Sequence, residues 1–161
     1  MAWDLRLVDL DFFGQASHSW TSTGLVSAPI ERVFAAISED PAGWGTWFPG
    51  FSSTGRYLDA PPHGVGSTRE VSMGGIRYRE TVLAWDQPTR WAFRVDRAGL
   101  PLVSALCEDY QLEPVGSGTR LSWTLATEPR AALRPLAAGM GPVLARLCAR
   151  AAANLSRRLA V

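Results

Sequence analysis

The sequence predicts an α+β fold in which a meander of antiparallel strands is followed by a long C-terminal helix. Three observations predict it. Strand-length runs separated by Gly and Pro turns fill the chain from about residue 51 to 127, and a strand with two short helical segments comes before them. After residue 130 the hydrophobic spacing changes from two to three and four. A chain of 161 residues, 47% hydrophobic and 19% charged, suffices for one soluble core.

Residues 1–16 combine Trp3, Leu5, Leu7 and Phe12 with Asp4, Asp9 and Asp11, without the basic start and apolar run of a secretory signal. They form an N-terminal extension for which an extra strand, an edge cover and a dimer arm all remain open. In residues 17–26, Trp20, Thr21, Thr23 and Val26 favour a strand, which Ala28-Pro29 ends. Ser27 is the expected N-cap of a helix over 30–38, with Pro29 and Glu31 suited to its first turn. Ile30, Val33, Phe34 and Ile37 give that helix one apolar face. The segment 40–50 is aromatic but broken by Pro and Gly.

Strand candidates follow at 51–58, 65–73, 76–85, 89–95, 103–112 and 119–127. Gly74-Gly75 suits a two-residue hairpin turn, and residues 114–118 suit a longer one. In the last stretch Leu133, Leu136, Met140, Leu144, Leu147, Ala151 and Leu155 make one helical stripe, which Gly141-Pro142 kinks or divides. The small residues on this stripe, Ala137 and Ala151 among them, are expected to leave space beneath the helix.

Composition excludes several chemistries. All sixteen basic residues are Arg, so there is no Schiff-base lysine, no pyridoxal-phosphate anchor and no P-loop lysine. His18, His63, Cys107 and Cys148 lie far apart, so neither a metal site nor a disulfide framework is expected, and no cofactor is implied. A net charge of +1 with interspersed signs speaks against a nucleic-acid surface. No segment would span a membrane. The expected compartment is the cytoplasm, as monomer or homodimer.

The rows VSAPIERVF, DPAGWGTWFPG, VGSTREV, WDQPTRWAF, GSGTRLSW and NLSRRL, in that order, resemble the START-like superfamily that includes the birch-pollen allergens, in particular its polyketide cyclase/dehydrase branch. The resemblance covers residues 17–161, which are expected to form a single ligand-binding domain. It implies the helix-grip fold, with a seven-stranded curved sheet gripping the C-terminal helix around a cavity for an apolar small molecule. It also places Trp44 and Trp47 at the cavity mouth as gate candidates.

Alternation of strand side chains selects the inward set. The apolar phase gives Val65, Ser67, Arg69, Val71 and Met73, then Ile76, Tyr78, Glu80 and Val82. Later strands contribute Trp91, Phe93 and Val95, then Leu106, Glu108, Tyr110 and Leu112, then Leu121, Trp123 and Leu125. Val71, Val82, Trp91, Phe93, Tyr110 and Trp123, with Met140 and Leu144 from the helix, are the candidate ligand-lining residues. Arg69, Glu80 and Glu108 are in-phase charges, and a two-residue turn at Gly74-Gly75 sets Arg69 opposite Glu80. Buried charge is costly, so the three are expected to pair, to contact polar ligand atoms, or to face solvent.

Two functions fit this inventory. One is a carrier or sensor of a hydrophobic lipid, quinone or polyketide-like aromatic, which needs an apolar pocket with few polar anchors. The other is a metal-free aromatase/cyclase, with Arg69 stabilising an enolate and Tyr78, Glu80 or Glu108 moving protons. A third role, recruitment of a protein partner through residues 1–16 or a sheet edge, is weaker. Neither His18 nor His63 has a triad context, and no serine sits on a nucleophile elbow.

Overall fold

A computed structural model describes residues 2–160 as an antiparallel sheet of eight strands with one long helix across its inner face. The elements are β1 (Trp3–Asp4), α1 (Phe12–Gln15), β2 (His18–Val26), α2 (Ile30–Ser38), α3 (Trp44–Trp47), β3 (Arg56–Tyr57), β4 (Thr68–Met73), β5 (Ile76–Asp86), β6 (Arg90–Ala98), β7 (Val103–Val115) and β8 (Gly118–Pro129). A 3-10 turn (Ala131–Leu133), α4 (Arg134–Ala138) and α5 (Gly141–Leu159) complete the chain. Seven strands run in the order β2-β8-β7-β6-β5-β4-β3, and β1 pairs with β6.

The turns behave as their residues dictate. Gly74 and Gly75 adopt φ of +58° and +79°, which glycine tolerates without a Cβ clash, and this fixes the expected register. Arg69 pairs with Glu80, Val71 with Tyr78 and Met73 with Ile76. The β7–β8 hairpin is tighter than expected, with Val115 directly opposite Gly118. Val65 and Ser67 fall outside β4. Gly66 at φ +89° turns the chain there, and the Gly64 N–H donates to Ser67 Oγ at 3.0 Å. The 51–58 candidate reduces to Arg56–Tyr57 plus an isolated bridge from Phe51 to Met73.

Ser27 does not cap α2. Pro29 occupies the cap position, and the Ser27 N–H instead donates to Ser156 Oγ at 2.9 Å, tying α5 to the end of β2. The C-terminal stripe divides into α4 and α5. Pro142 sits in the first turn of α5, where its missing N–H removes no helical hydrogen bond.

The small residues of α5 do the opposite of what the sequence suggests. They let the helix come close to the sheet instead of leaving room: a Cβ on Gly24 of β2 would lie 2.7 Å from the Ala152 Cβ. Leu144, Cys148, Ala151, Ala152 and Leu155 are buried in that contact.

The N-terminal residues act both as a strand and as a cover. β1 extends the edge of β6 where its pairing with β7 stops at Arg94 and Cys107, and the Arg6 N–H donates to the Ser104 carbonyl at 2.8 Å. Val8 and Phe12 then pack on Ala105, Cys107 and Ala126, on the outer face of the sheet. The main core lies on the opposite face, beneath α2, α3 and α5.

Candidate functional site

The inner face carries the predicted charges, and the structure treats them differently. Arg69 Nε donates to Glu80 Oε2 at 2.5 Å, and the two side chains are 0% and 4% exposed. The Arg69 guanidinium lies 4.9 Å from the ring centre of Trp44, 4.4 Å from Trp91 and 4.9 Å from Phe93. Its Nη1 and Nη2 find no hydrogen-bond acceptor among the described residues, and the guanidinium meets the π faces of this aromatic cage. Burial raises the pKa of Glu80, and Arg69 opposes that rise by charge and hydrogen bond.

Glu108 is the other inward charge, on β7. Tyr110 Oη donates to its Oε2 at 2.7 Å and Trp123 Nε1 donates to the same oxygen at 2.8 Å. No hydrogen bond from a described residue reaches Oε1. Burial, countered by the Tyr110 hydrogen bond, moves the Glu108 pKa up to about 7. Tyr78 belongs to the same electrostatic neighbourhood: burial raises its pKa first, and the charges of Glu108 and Glu80 raise it further. The four candidate polar groups Arg69, Tyr78, Glu80 and Glu108 therefore converge on one region of the inner face.

That region is covered unevenly. Rows of in-register residues cross the sheet, and the row Ser22, Trp123, Tyr110 is buried. In the next row Trp20, Leu125 and Glu108 are only half-buried, and Leu106 and Tyr78 further along are half-buried too. Above them lies the start of α5, with Gly141 against Trp20 and Leu147 half-buried. Here the cover is incomplete, and Glu108 and Tyr78 are the polar side chains of the half-covered region.

The remaining candidates separate by depth. Trp44 and Trp47 are fully buried: Trp44 walls the Arg69 cage, with its Nε1 donating to the Ile37 carbonyl at 2.9 Å, and Trp47 packs against Trp44 and Phe48. Val71, Val82, Trp91, Phe93, Tyr110 and Trp123 are all buried on the inner face, and Leu144 is buried under α5. Met140 is misplaced by the stripe argument. It occupies the N-cap position of α5, just after the break at Gly139, and is 36% exposed there.

Sequence reasoning passed over Trp20, Leu106, Leu125 and Leu147 as site residues. Three of these have the right strand phase, and only their partial exposure marks them. Tyr57 was also missed: its hydroxyl donates to the Ser38 carbonyl at 2.5 Å, its ring stacks on His63 at 4.0 Å, and burial carries its pKa up to about 12. Neither cysteine is an activated thiol, since burial pushes Cys107 to about 12 and Cys148 to about 11.

A separate groove of about 860 Å3 follows the β4–β5 hairpin, and Val71 and Tyr78 border it. Its charged lining belongs to the outer face. There Glu70 accepts from Arg56 at 3.1 Å and Arg79 at 2.9 Å, and Arg97 pairs with Asp4 at 2.7 Å. These ion pairs already use most of its charge.

Comparison with known proteins supports this architecture. A family model described as "Polyketide cyclase / dehydrase and lipid transport" matches residues 17–160. An uncharacterized protein of Mycobacterium tuberculosis is 31% identical over 151 residues, covering 93% of this chain and 89% of that one. Among solved structures, a START superfamily protein from Mycobacterium smegmatis aligns with a TM-score of 0.67 at 17% identity, covering 89% of this chain and 98% of that one. Ginseng major latex-like protein 151 from Panax ginseng aligns with a TM-score of 0.68 at 12% identity, over 88% of this chain and 96% of that one.

Proposed function

The chain belongs to the polyketide cyclase/dehydrase and lipid transport family, and from that premise we propose that it binds a hydrophobic small molecule at the open end of its inner face. The observation that carries this reading is Glu108. A core has no use for a carboxyl group with one oxygen doubly hydrogen-bonded and the other without a hydrogen bond from any described residue, in a row shared with half-buried Trp20 and Leu125. A ligand with an apolar body and one hydroxyl or carbonyl group completes the arrangement. The hydroxyl donates to the carboxylate, or the protonated carboxyl donates to the carbonyl.

In this reading the other candidates fall into two groups. Tyr78 stands beside the ligand as a second polar contact. Arg69 and Glu80 lie beneath it and hold Trp44, Trp91 and Phe93 in place, so they shape the floor without touching the ligand.

One observation favours a second reading, a cofactor-independent cyclase or dehydratase. A carboxyl group that titrates at about 7 is matched to accepting and returning a proton near neutral pH. Glu108 is then the general acid and base, and Tyr78 the donor to a developing enolate oxygen. Arg69 has no part in contacting substrate while its cage is closed.

Native mass spectrometry of freshly purified protein, followed by titration with 2-naphthol read by tryptophan fluorescence, tests the binding reading. One saturable site is expected, weakened about tenfold by Glu108→Leu through the lost charge-assisted hydrogen bond. Absence of any bound molecule together with no saturable response would refute it. Turnover of a linear poly-β-ketone, lost in Glu108→Gln, would select the enzyme.

A further inference from the structure

The balanced total charge hides an uneven distribution. Every charged residue after Pro129 is an arginine: Arg130, Arg134, Arg146, Arg150, Arg157 and Arg158. Residues 1–129 therefore carry a net charge of −5 within a chain of +1. The expectation of interspersed signs holds for the sheet and fails for the C-terminal helices.

The solvent face of α5 repeats this at side-chain resolution. Val143, Arg146, Arg150 and Arg157 step by three, four and seven along one side, opposite the buried Leu144, Cys148, Ala151 and Leu155. Arg146 and Arg150 are exposed and form no ion pair among the described residues. Ala149 and Ala153, which flank Arg150 on this side, are exposed and small, so the guanidinium groups are free to lie on a flat surface. Around the start of the helix, α4 and the first turn of α5 carry exposed apolar side chains, with Leu136 69%, Val143 51% and Met140 36% exposed.

We propose that the α4–α5 face docks on an anionic lipid bilayer, with Leu136, Met140 and Val143 entering the headgroup layer and Arg146 and Arg150 meeting lipid phosphates. Arg146, Arg150 and Arg157 are spread over about 16 Å of the helix axis, which suits an extended sheet of negative charge better than a single point partner. The apolar tips have no concave neighbour to fill and sit at the end of α5 that lies over the half-covered row at Trp20. Docking therefore brings the opening of the inner face to the bilayer surface. No helix here is long and apolar enough to cross a membrane, so the contact is peripheral.

The proposal stands apart from ligand binding, because none of these side chains lines the inner face. Its test is sedimentation of the full-length protein with vesicles of phosphatidylcholine alone and of phosphatidylcholine with phosphatidylglycerol. Binding is expected only to the anionic vesicles and is expected to weaken as salt rises. Arg146→Gln/Arg150→Gln should weaken it about 30-fold, at roughly one surface charge each. Leu136→Ser/Val143→Ser should weaken it about tenfold through the lost apolar insertion. Circular dichroism and the 2-naphthol titration should be unchanged in both variants.

Three outcomes overturn the proposal: equal binding to both vesicle types, no binding to either, or full binding by the arginine variant. Binding to soluble polyglutamate that the Leu136→Ser/Val143→Ser variant retains in full, with no vesicle binding, would assign this face to an acidic protein instead.

Discussion

Removing one member of the Arg69–Glu80 pair should be among the most damaging single changes in the protein, and the two removals should differ in their pH dependence. The pair is 2.5 Å long with both side chains almost wholly enclosed, so either partner left alone is a charge without solvent. Breaking such a pair costs about 3–5 kcal/mol, or roughly 6–20 °C in Tm for a chain of this size. Glu80→Gln leaves a guanidinium that cannot lose its proton and removes a carboxyl group whose pKa the fold raises, so its cost should shrink as pH rises. Arg69→Met leaves a carboxyl group whose pKa burial already raises, so Glu80 can take up a proton and the cost should shrink as pH falls. Arg69→Met/Glu80→Leu removes both charges and should be less destabilised than either single variant. Urea unfolding of the four proteins across a pH series measures all of this. Additive losses in the double variant, or an Arg69→Met cost that does not move with pH, would refute the reasoning.

Two further predictions rest on single contacts. Gly24→Ala places a Cβ 2.7 Å from that of Ala152 and should cost about 1–3 kcal/mol by urea unfolding. Gly24→Ala/Ala152→Gly should recover part of that loss, less about 1 kcal/mol for glycine inside a helix. Glu108 binds its proton more tightly folded than unfolded, with a pKa of about 7 against 4.5, so stability should fall as pH rises through that window. The 2.5-unit difference corresponds to about 3 kcal/mol, and Glu108→Gln should match wild type at the acid end and exceed it by that amount at about pH 8. An unchanged difference across the pH series would count against the assignment.

Strand phase was legible in the sequence because a pleated strand offers only two choices. Once Gly74-Gly75 fixed the hairpin, Arg69 and Glu80 had to face each other, and they do. Cover was not legible. Whether a half-apolar row is sealed depends on how close α5 comes, and Gly24 with Ala152 decides that from opposite ends of the chain. The same limit explains Met140: stripe spacing assumes one straight helix, and the break between α4 and α5 removes the residue from the stripe. For residues 1–16 the apolar residues divide between two destinations. Leu5 joins the main core, while Val8 and Phe12 join the outer cluster, so no single periodicity describes the segment.

Burial acts on two carboxyl groups of one sheet face and produces two different chemistries. At Glu80 it is complete, and Arg69 arrives from the neighbouring strand with an aromatic cage behind it. The result is a closed pair that fixes the positions of Trp44, Trp91 and Phe93. At Glu108 no cation makes contact, two neutral donors share one oxygen, and the neighbouring row is only half-covered. A carboxyl group held this way stays near its titration point and keeps a free acceptor, as both a polar anchor and a proton-transfer group require. With lysine absent and Arg69 locked in its cage, the proposed proton chemistry rests on Glu108 and Tyr78, and Glu108→Gln separates proton transfer from simple anchoring.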